Sequence, residues 1–271
     1  MYDNAQEAAS TIRRTFHREA KTAIVLGSGL GAILDWLDDA EELAYKDIPH
    51  FPISTVSGHT SKLVSGVLNG TDVLIMSGRF HYYEGYAMQE VTFPLYVFQL
   101  LGIENLILTN SCGGINTEKL EPGSIMVIKD FINLMPSNPL IGPNDERFGP
   151  RFPDMTEPYS LELRGLALEK ARDMRIDYVE GVYAGFMGPY YETKAEIEMI
   201  RRMGGEAVGM STVPETIVAN YLGMKVLAFA TITNMATGIQ RVKHSHENVV
   251  KMAGIASKTL AEWIRKVVGE L

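Results

Sequence analysis

"IVLGSGLGAIL", residues 24–34, decides how the rest of the chain is read. Apolar residues run from Ile24 to Leu26, give way to Gly27-Ser28-Gly29, and resume at Leu30. A buried strand, a glycine turn and a following helix have this form. The spacing Gly27-x-Gly29-x-x-Ala32 also meets a loose dinucleotide fingerprint, and Asp47 stands where a ribose-binding acid would be sought. The loop can therefore hold a nicotinamide cofactor, a smaller anion or nothing.

Moving outward, strands and helices alternate. Residues 4–18 predict a surface helix and "KTAIVL" a short buried strand. "KLVSGVLNGTDVLIMSG" predicts two strands around Asn69-Gly70, a strong hairpin signal. "MQEVTFPLYVFQLLG" has helical apolar spacing, ends at Gly102, and should be capped or kinked at Pro94. "NLILTNS" predicts a strand turning at "CGG", and "SIMVIKD" another strand. Residues 133–159 form a long proline-rich irregular stretch, a length that points to function or an interface. Helices over 161–174, 193–203, 213–222 and 245–268 and strands over 178–185, 206–209 and 225–234 complete the pattern. It predicts one α/β domain over residues 1–271, with a mostly parallel sheet and helices on both faces.

Composition narrows the function. The 271 residues carry a formal charge of -8 and no long Lys/Arg run, which argues against a nucleic-acid surface. The single cysteine, Cys112, excludes an intramolecular disulfide and favours a reducing compartment. No apolar run approaches the ~18 residues that a membrane span needs. We expect a cytoplasmic protein with no membrane partner.

Ligands of open α/β sheets gather beyond the carboxyl ends of strands. That rule selects Ser28, Arg79, His81, Ser111, Tyr191, Glu192, Met210, Ser211, Thr233 and Asn234. Each has an ordinary structural reading; "STVPE", for instance, suits a helix start with Thr212 as N-cap and Glu215 three residues on. Their convergence on one sheet edge favours function. Ser28, Arg79, His81, Ser211 and backbone N–H groups near Ser111 would suit an anion. Tyr191, Glu192, Met210, Thr233 and Asn234 would suit a planar heterocycle rich in N–H groups.

"GSGLG", "GRFHYYEGY", "TNSCGGIN", "NPLIGPNDERFGPRFPDM", "GPYYETKAE", "VGMSTVPE" and "ITN", in this order, resemble the trimeric purine nucleoside phosphorylases. The resemblance covers about residues 20–265. It implies a mixed, partly closed sheet flanked by helices, and reversible phosphorolysis of purine (deoxy)ribonucleosides to free base and pentose 1-phosphate. Inorganic phosphate would be the co-substrate, with no metal or organic cofactor. Carried over by motif, Ser28, His59, Arg79, His81, the Ser111 backbone and Ser211 would bind phosphate, and Glu84 would orient His81. Tyr83, Met210 and His246 would face the pentose, with His246 toward the 5′-hydroxyl and His244 two residues away. Tyr191 would pack on sugar and base, and Glu192 and Asn234 would bind the purine. His81, Glu192 and Asn234 form the expected catalytic set. Phe152 would close a neighbouring subunit's pocket in a homotrimer. Vertebrate members usually carry Phe in place of Tyr191 and Lys in place of Met235, departures that bear on base preference.

The resemblance makes the opening glycine loop a phosphate loop. Asp47, within "YKDIPHFP", does not read as the end of a buried strand, so the dinucleotide reading fails there. The nearest alternative is methylthioadenosine phosphorylase, whose members tend to carry Asp in place of Asn234 and Thr-Thr in place of Ser211-Thr212. A dehydrogenase would be separated by NADH binding, and an inactive purine-binding protein by lack of turnover.

Overall fold

Asn69 and Gly70 take φ of 54° and 87°, the positive values that a two-residue hairpin of this twist requires. The strands they join pair antiparallel from Leu68↔Thr71 to Lys62↔Ser77. The structure is a computed structural model that describes residues 1–53, 60–240 and 245–271. Its strands are β1 (Thr22–Leu26), β2 (Asp38–Ala44), β3 (Lys62–Leu68), β4 (Thr71–Ser77), β5 (Asn105–Gly114), β6 (Ile125–Asn133), β7 (Val179–Gly185), β8 (Ala207–Gly209) and β9 (Lys225–Met235). Its helices are α1 (Tyr2–Thr15), α2 (Met88–Val91), α3 (Phe93–Leu101), α4 (Leu161–Met174), α5 (Lys194–Arg202), α6 (Val213–Tyr221) and α7 (His246–Val268).

Most helix ends follow from local chemistry. Ser160 and Ser245 accept from the backbone N–H groups of Leu163 and Asn248. Thr193 and Glu196 form a reciprocal capping box on α5. Pro94 sits in the first turn of α3, after a break at Thr92, and Gly102 ends that helix at φ 87°.

Two expectations need correction, and one strand went unread. The chain after Leu30 forms only a short 3₁₀ turn, Gly31–Trp36. It then enters β2, an acidic and largely exposed strand that has no apolar alternation to announce it. Among the described residues β2 pairs only with β3, at the sheet's edge, where charged side chains discourage further pairing. Finally, "CGG" is no turn: β5 continues through it to Gly114, with a register shift against β9 between Cys112 and Gly113.

The sheet order is β2-β3-β4-β1-β5-β8-β7-β6-β9, and β9 returns to pair with β5. Strands β5, β8, β7, β6 and β9 thus close into a ring, and β4, β1 and the β2–β3 edge extend from it. Parallel pairings (β1–β4, β1–β5, β5–β9, β6–β7, β7–β8) outnumber antiparallel ones (β2–β3, β3–β4, β5–β8, β6–β9). The mixed, mostly parallel sheet flanked by helices is therefore the observed architecture. β1 is buried on both sides: Ala23 and Val25 join the core beneath α1, α3 and α6, while Ile24 and Leu26 join the core beneath α4 and α7. In the second core, fully buried Trp263 meets Phe229 edge-on at 4.9 Å and donates to the Ala167 carbonyl at 2.8 Å.

Candidate active site

Parallel β4, β1, β5 and β9 bring their carboxyl ends to one edge: Leu26 pairs with Ser77, Val25 with Leu108, and Ser111 with Thr231. A cavity of about 110 Å³ opens there. Ser28, Arg79, His81, Tyr83, Ser111, Tyr191, Glu192, Met210, Ser211, Thr233, Asn234 and His246 all line it. His59 and His244 lie outside the described residues. Phe152 does not reach this cavity; it is 87% exposed, with the Arg151 guanidinium 5.6 Å from its ring centre.

At the β1 end, the Gly27 N–H donates to Thr109 Oγ1, whose hydroxyl donates to the Val25 carbonyl. A Cβ on Gly27 would lie 2.8 Å from Asn110 Cα and 2.9 Å from the Thr109 carbonyl oxygen. Glycine is needed because two strand ends touch backbone to backbone. Ser111 Oγ donates to the Ser28 carbonyl at 2.8 Å, tying the glycine loop to β5.

Arg79 is 2% exposed. Its Nη1 donates to the Thr109 carbonyl at 2.7 Å and to Ser211 Oγ at 3.2 Å, and its Nε lies 2.9 Å from Glu215 Oε1. Sequence reading gave Glu215 a capping role, and the structure corrects it. Helix α6 has no side-chain cap, and Glu215 turns inward to Arg79. The clue was an acidic residue within "VPETIVANY", where nearly every position is buried.

Thr212, the expected cap, is the centre of a tight turn at φ 72° and ψ -47°, closed by Val213 N–H to the Ser211 carbonyl at 2.8 Å. This is the rarer, strained hand of the γ-turn, unusual for a β-branched residue. Such backbone costs about 1–3 kcal/mol and persists only where its surroundings fix it. Here Asn110 Nδ2 donates to Thr212 Oγ1 at 2.9 Å, and the Thr212 carbonyl accepts from Thr216. The turn sets Ser211 beside Arg79. Asn110 was not anticipated from the sequence; its contribution is a contact across the fold.

His81 lies against Glu84, as expected: its Nδ1 is 3.2 Å from Glu84 Oε1, and its own backbone N–H donates to that oxygen at 2.8 Å. The ring stacks on Tyr83 at 4.7 Å. Burial lowers the His81 pKa, opposed by the hydrogen bond to Glu84. The neutral imidazole is thus favoured near pH 7. Burial pushes the Tyr83 phenol up to about 12, so it stays a hydroxyl.

The floor continues along β5 through Cys112 to Gly113. The register shift sets Gly113 opposite Asn234, and a Cβ there would lie 3.3 Å from Asn234 Nδ2. Thr233 Oγ1 is within hydrogen-bond reach of both the Cys112 carbonyl and Asn234 Oδ1, the latter at 3.0 Å. The other end of the Asn234 amide, Nδ2, faces the Met235 carbonyl at 3.4 Å. Glu192 is 5% exposed, and burial raises its carboxyl above the ordinary 4.5. Burial also raises the Cys112 thiol, keeping it protonated. Gly188, at φ 64°, lets the loop before Tyr191 approach Met210 and Tyr83. Tyr191 remains 38% exposed at the mouth, and Ala236, Thr237 and Val249 complete a wall that sequence reading did not foresee.

One end of this set offers a guanidinium, hydroxyls and glycine-rich backbone, suited to a tetrahedral oxyanion. The other offers a buried carboxylate, a carboxamide and aromatic surface, suited to a planar base.

Comparison with known proteins identifies the family. A family profile described as the phosphorylase superfamily matches residues 21–269. Purine nucleoside phosphorylase 1 of Geobacillus stearothermophilus is 50% identical, covering 97% of this chain and 94% of that protein. Its counterpart in Bacillus subtilis is 46% identical over 100% of this chain and 99% of its own. The crystal structure of a schistosome purine nucleoside phosphorylase with hypoxanthine superposes with a TM-score of 0.94 at 36% identity, covering 99% of this chain and 97% of that one. A Schistosoma mansoni enzyme in complex with adenosine gives 0.93 at the same identity, with the same coverage of both chains. With likeness running through nearly its whole length, the chain belongs to the phosphorylase superfamily and is an enzyme of the purine nucleoside phosphorylase type.

Proposed function

We propose that this enzyme cleaves chiefly inosine and guanosine, by attack of inorganic phosphate on the anomeric carbon, and needs no metal or organic cofactor. The observation that carries the proposal is the meeting of an anion-binding set and a purine-binding set in one cavity. Ser28, Arg79, His81, Ser211 and the Ser111 backbone hold phosphate. Tyr83, Met210, Thr233 and His246 contact the nucleoside, and Tyr191 covers sugar and base. His59 would complete the phosphate shell.

Phosphate enters from the face opposite the base, so the configuration inverts. Positive charge develops on the sugar and negative charge on the purine. Holding phosphate in line supplies up to ~7–11 kcal/mol. A donor at the leaving group adds roughly 3–4 kcal/mol. The Asn234 amide donates to N7 as its electron density rises. Glu192 accepts from N1–H of a 6-oxopurine and from the 2-amino group of guanine. Adenine presents a lone pair at N1, which an ionised carboxylate repels.

Binding alone does not decide base choice, since a relative 36% identical has been crystallised with adenosine. Turnover does. The test is phosphate-dependent cleavage of inosine, guanosine, adenosine and methylthioadenosine in parallel. Equal kcat/KM for adenosine and inosine would refute the roles of Glu192 and Asn234, and preference for methylthioadenosine would move the chain to the alternative branch. Residues 1–271 act as one domain, and exposed Phe152 fits a homotrimer in which each subunit closes its neighbour's site. The single buried cysteine fits a cytoplasmic setting. Among the described residues, no helix is long and apolar enough to cross a membrane.

A further inference from the structure

Glu215 and Arg79 form an ion pair inside the protein, with side chains 6% and 3% exposed and 2.9 Å between Oε1 and Nε. An acidic group at this depth requires a partner. Behind the pair lies a void of only about 10 Å³, walled by Val25, Met76, Phe80, Val91, Pro94 and Leu95. That is at the lower limit for one water, so solvent is a poor substitute for either partner. The apolar wall also strengthens the pair's attraction.

The geometry divides the guanidinium into assigned parts. Nε meets Glu215, and Nη1 is committed to the Thr109 carbonyl and Ser211 Oγ. Two hydrogen bonds from Nη1 and an ion pair at Nε, made to different elements, restrain the guanidinium from swinging about its long side chain. Glu215 itself is fixed in the first turn of α6, directly after the strained turn at Thr212 that places Ser211. One structural unit thus sets both the hydroxyl and the angle of the cation beside it.

We propose that Glu215 is a positioning residue: its carboxylate holds the Arg79 guanidinium at Nε and aims the fork at the phosphate. The proposal rests on the reading of Arg79 as a phosphate ligand. Glu215 does not touch phosphate, and it acts by reach more than by charge.

The test is steady-state kinetics on the full chain, varying phosphate at saturating inosine and inosine at saturating phosphate. Glu215→Asp keeps the charge but withdraws the oxygens by one methylene. It should raise the phosphate KM about tenfold, the scale of weakening one buried ion pair, with the inosine KM within about twofold. Glu215→Gln keeps an acceptor at the original reach and should hold the phosphate KM within about threefold. A wild-type phosphate KM in Glu215→Asp, or an inosine KM that rises in step with it, overturns the proposal. Arg79→Met in the same series separates the two readings. If it leaves the phosphate KM unchanged, the phosphate assignment is wrong. If it raises that KM while Glu215→Asp does not, the positioning role alone fails. Should Glu215→Asp not fold, adding Glu215→Gln to Arg79→Met removes both buried charges together. The double variant should lose no more phosphate affinity than Arg79→Met alone, and a further loss overturns the proposal.

Discussion

Replacing Glu192 by Gln changes one functional atom and little volume, so it isolates the carboxylate. In the wild type the group is 5% exposed and its pKa is raised, burial being the largest cause. A charge-assisted hydrogen bond to N1–H contributes roughly 1.5–3 kcal/mol, which is about 10- to 150-fold in rate. Gln keeps a neutral acceptor for N1–H, so inosine kcat/KM should fall by the difference between a charged and a neutral hydrogen bond, roughly 3- to 30-fold, in Glu192→Gln. Adenosine should gain, because a Gln amide can rotate and donate to N1. The inosine-to-adenosine ratio should drop by at least about tenfold. The wild-type ratio should also depend on pH. As pH falls through the raised pKa, Glu192 takes a proton, becomes a donor to adenine N1, and discriminates less. Phosphate ionisation cancels in the ratio, so the slope reports the base site, and it should vanish in Glu192→Gln. Stability provides a check. A carboxyl whose folded pKa lies above its unfolded value makes the native state bind the extra proton. Its contribution to stability is then lost as pH rises from the unfolded value through the folded one. At pH 7 the uncharged Gln should be at least as stable as Glu in thermal melts. Parallel coupled assays between pH 5 and 8 decide the matter. A ratio that ignores both pH and the substitution would refute the reasoning.

Asn234→Asp should shift relative turnover toward adenosine, because an aspartate accepts from a 6-amino group; competition between inosine and adenosine measures this directly. Gly27→Ala forces a Cβ against the backbone of Thr109 and Asn110, so it should cost about 1–3 kcal/mol in denaturant unfolding and raise the phosphate KM. Trp263→Ala, in the core far from the cavity lining, should cost about 3–5 kcal/mol in the same unfolding assay; a loss under about 1 kcal/mol would contradict its packing role. Sedimentation should give the mass of a trimer, and Phe152→Ala should impair nucleoside use without lowering monomer stability; a fully active monomer would exclude the shared site.

Strand ends made the site legible, because polar groups beside glycine at a sheet edge are visible in one dimension. The Asn69-Gly70 hairpin was legible for the same reason: it is a local requirement on a few residues. Edge strand β2 was hidden because its acidic residues satisfy solvent and the neighbouring strand without apolar alternation. The extension of β5 through "CGG" was hidden because glycine more often marks a turn, and only the approach of Asn234 and Met235 explains it. Glu215 and Asn110 were misread or missed because their partners, Arg79 and Thr212, lie far away in sequence. Closure of the sheet through β5 and β9 is likewise a long-range event.

That closure orders events in time. Asn105 sits opposite Lys225, and the pairing continues to the level of Asn234, so the cavity floor joins segments separated by nearly half of the chain. The entropy of such a loop must be overcome before the contacts can stabilise it, which makes the floor a late and slow product of folding. Once formed, β5 is paired with β1, β8 and β9, and its amides lack a cheap local opening. Hydrogen exchange there should follow global unfolding, while the β2 edge exchanges through small fluctuations. The side chains that line the cavity floor are thereby built into a slowly exchanging frame.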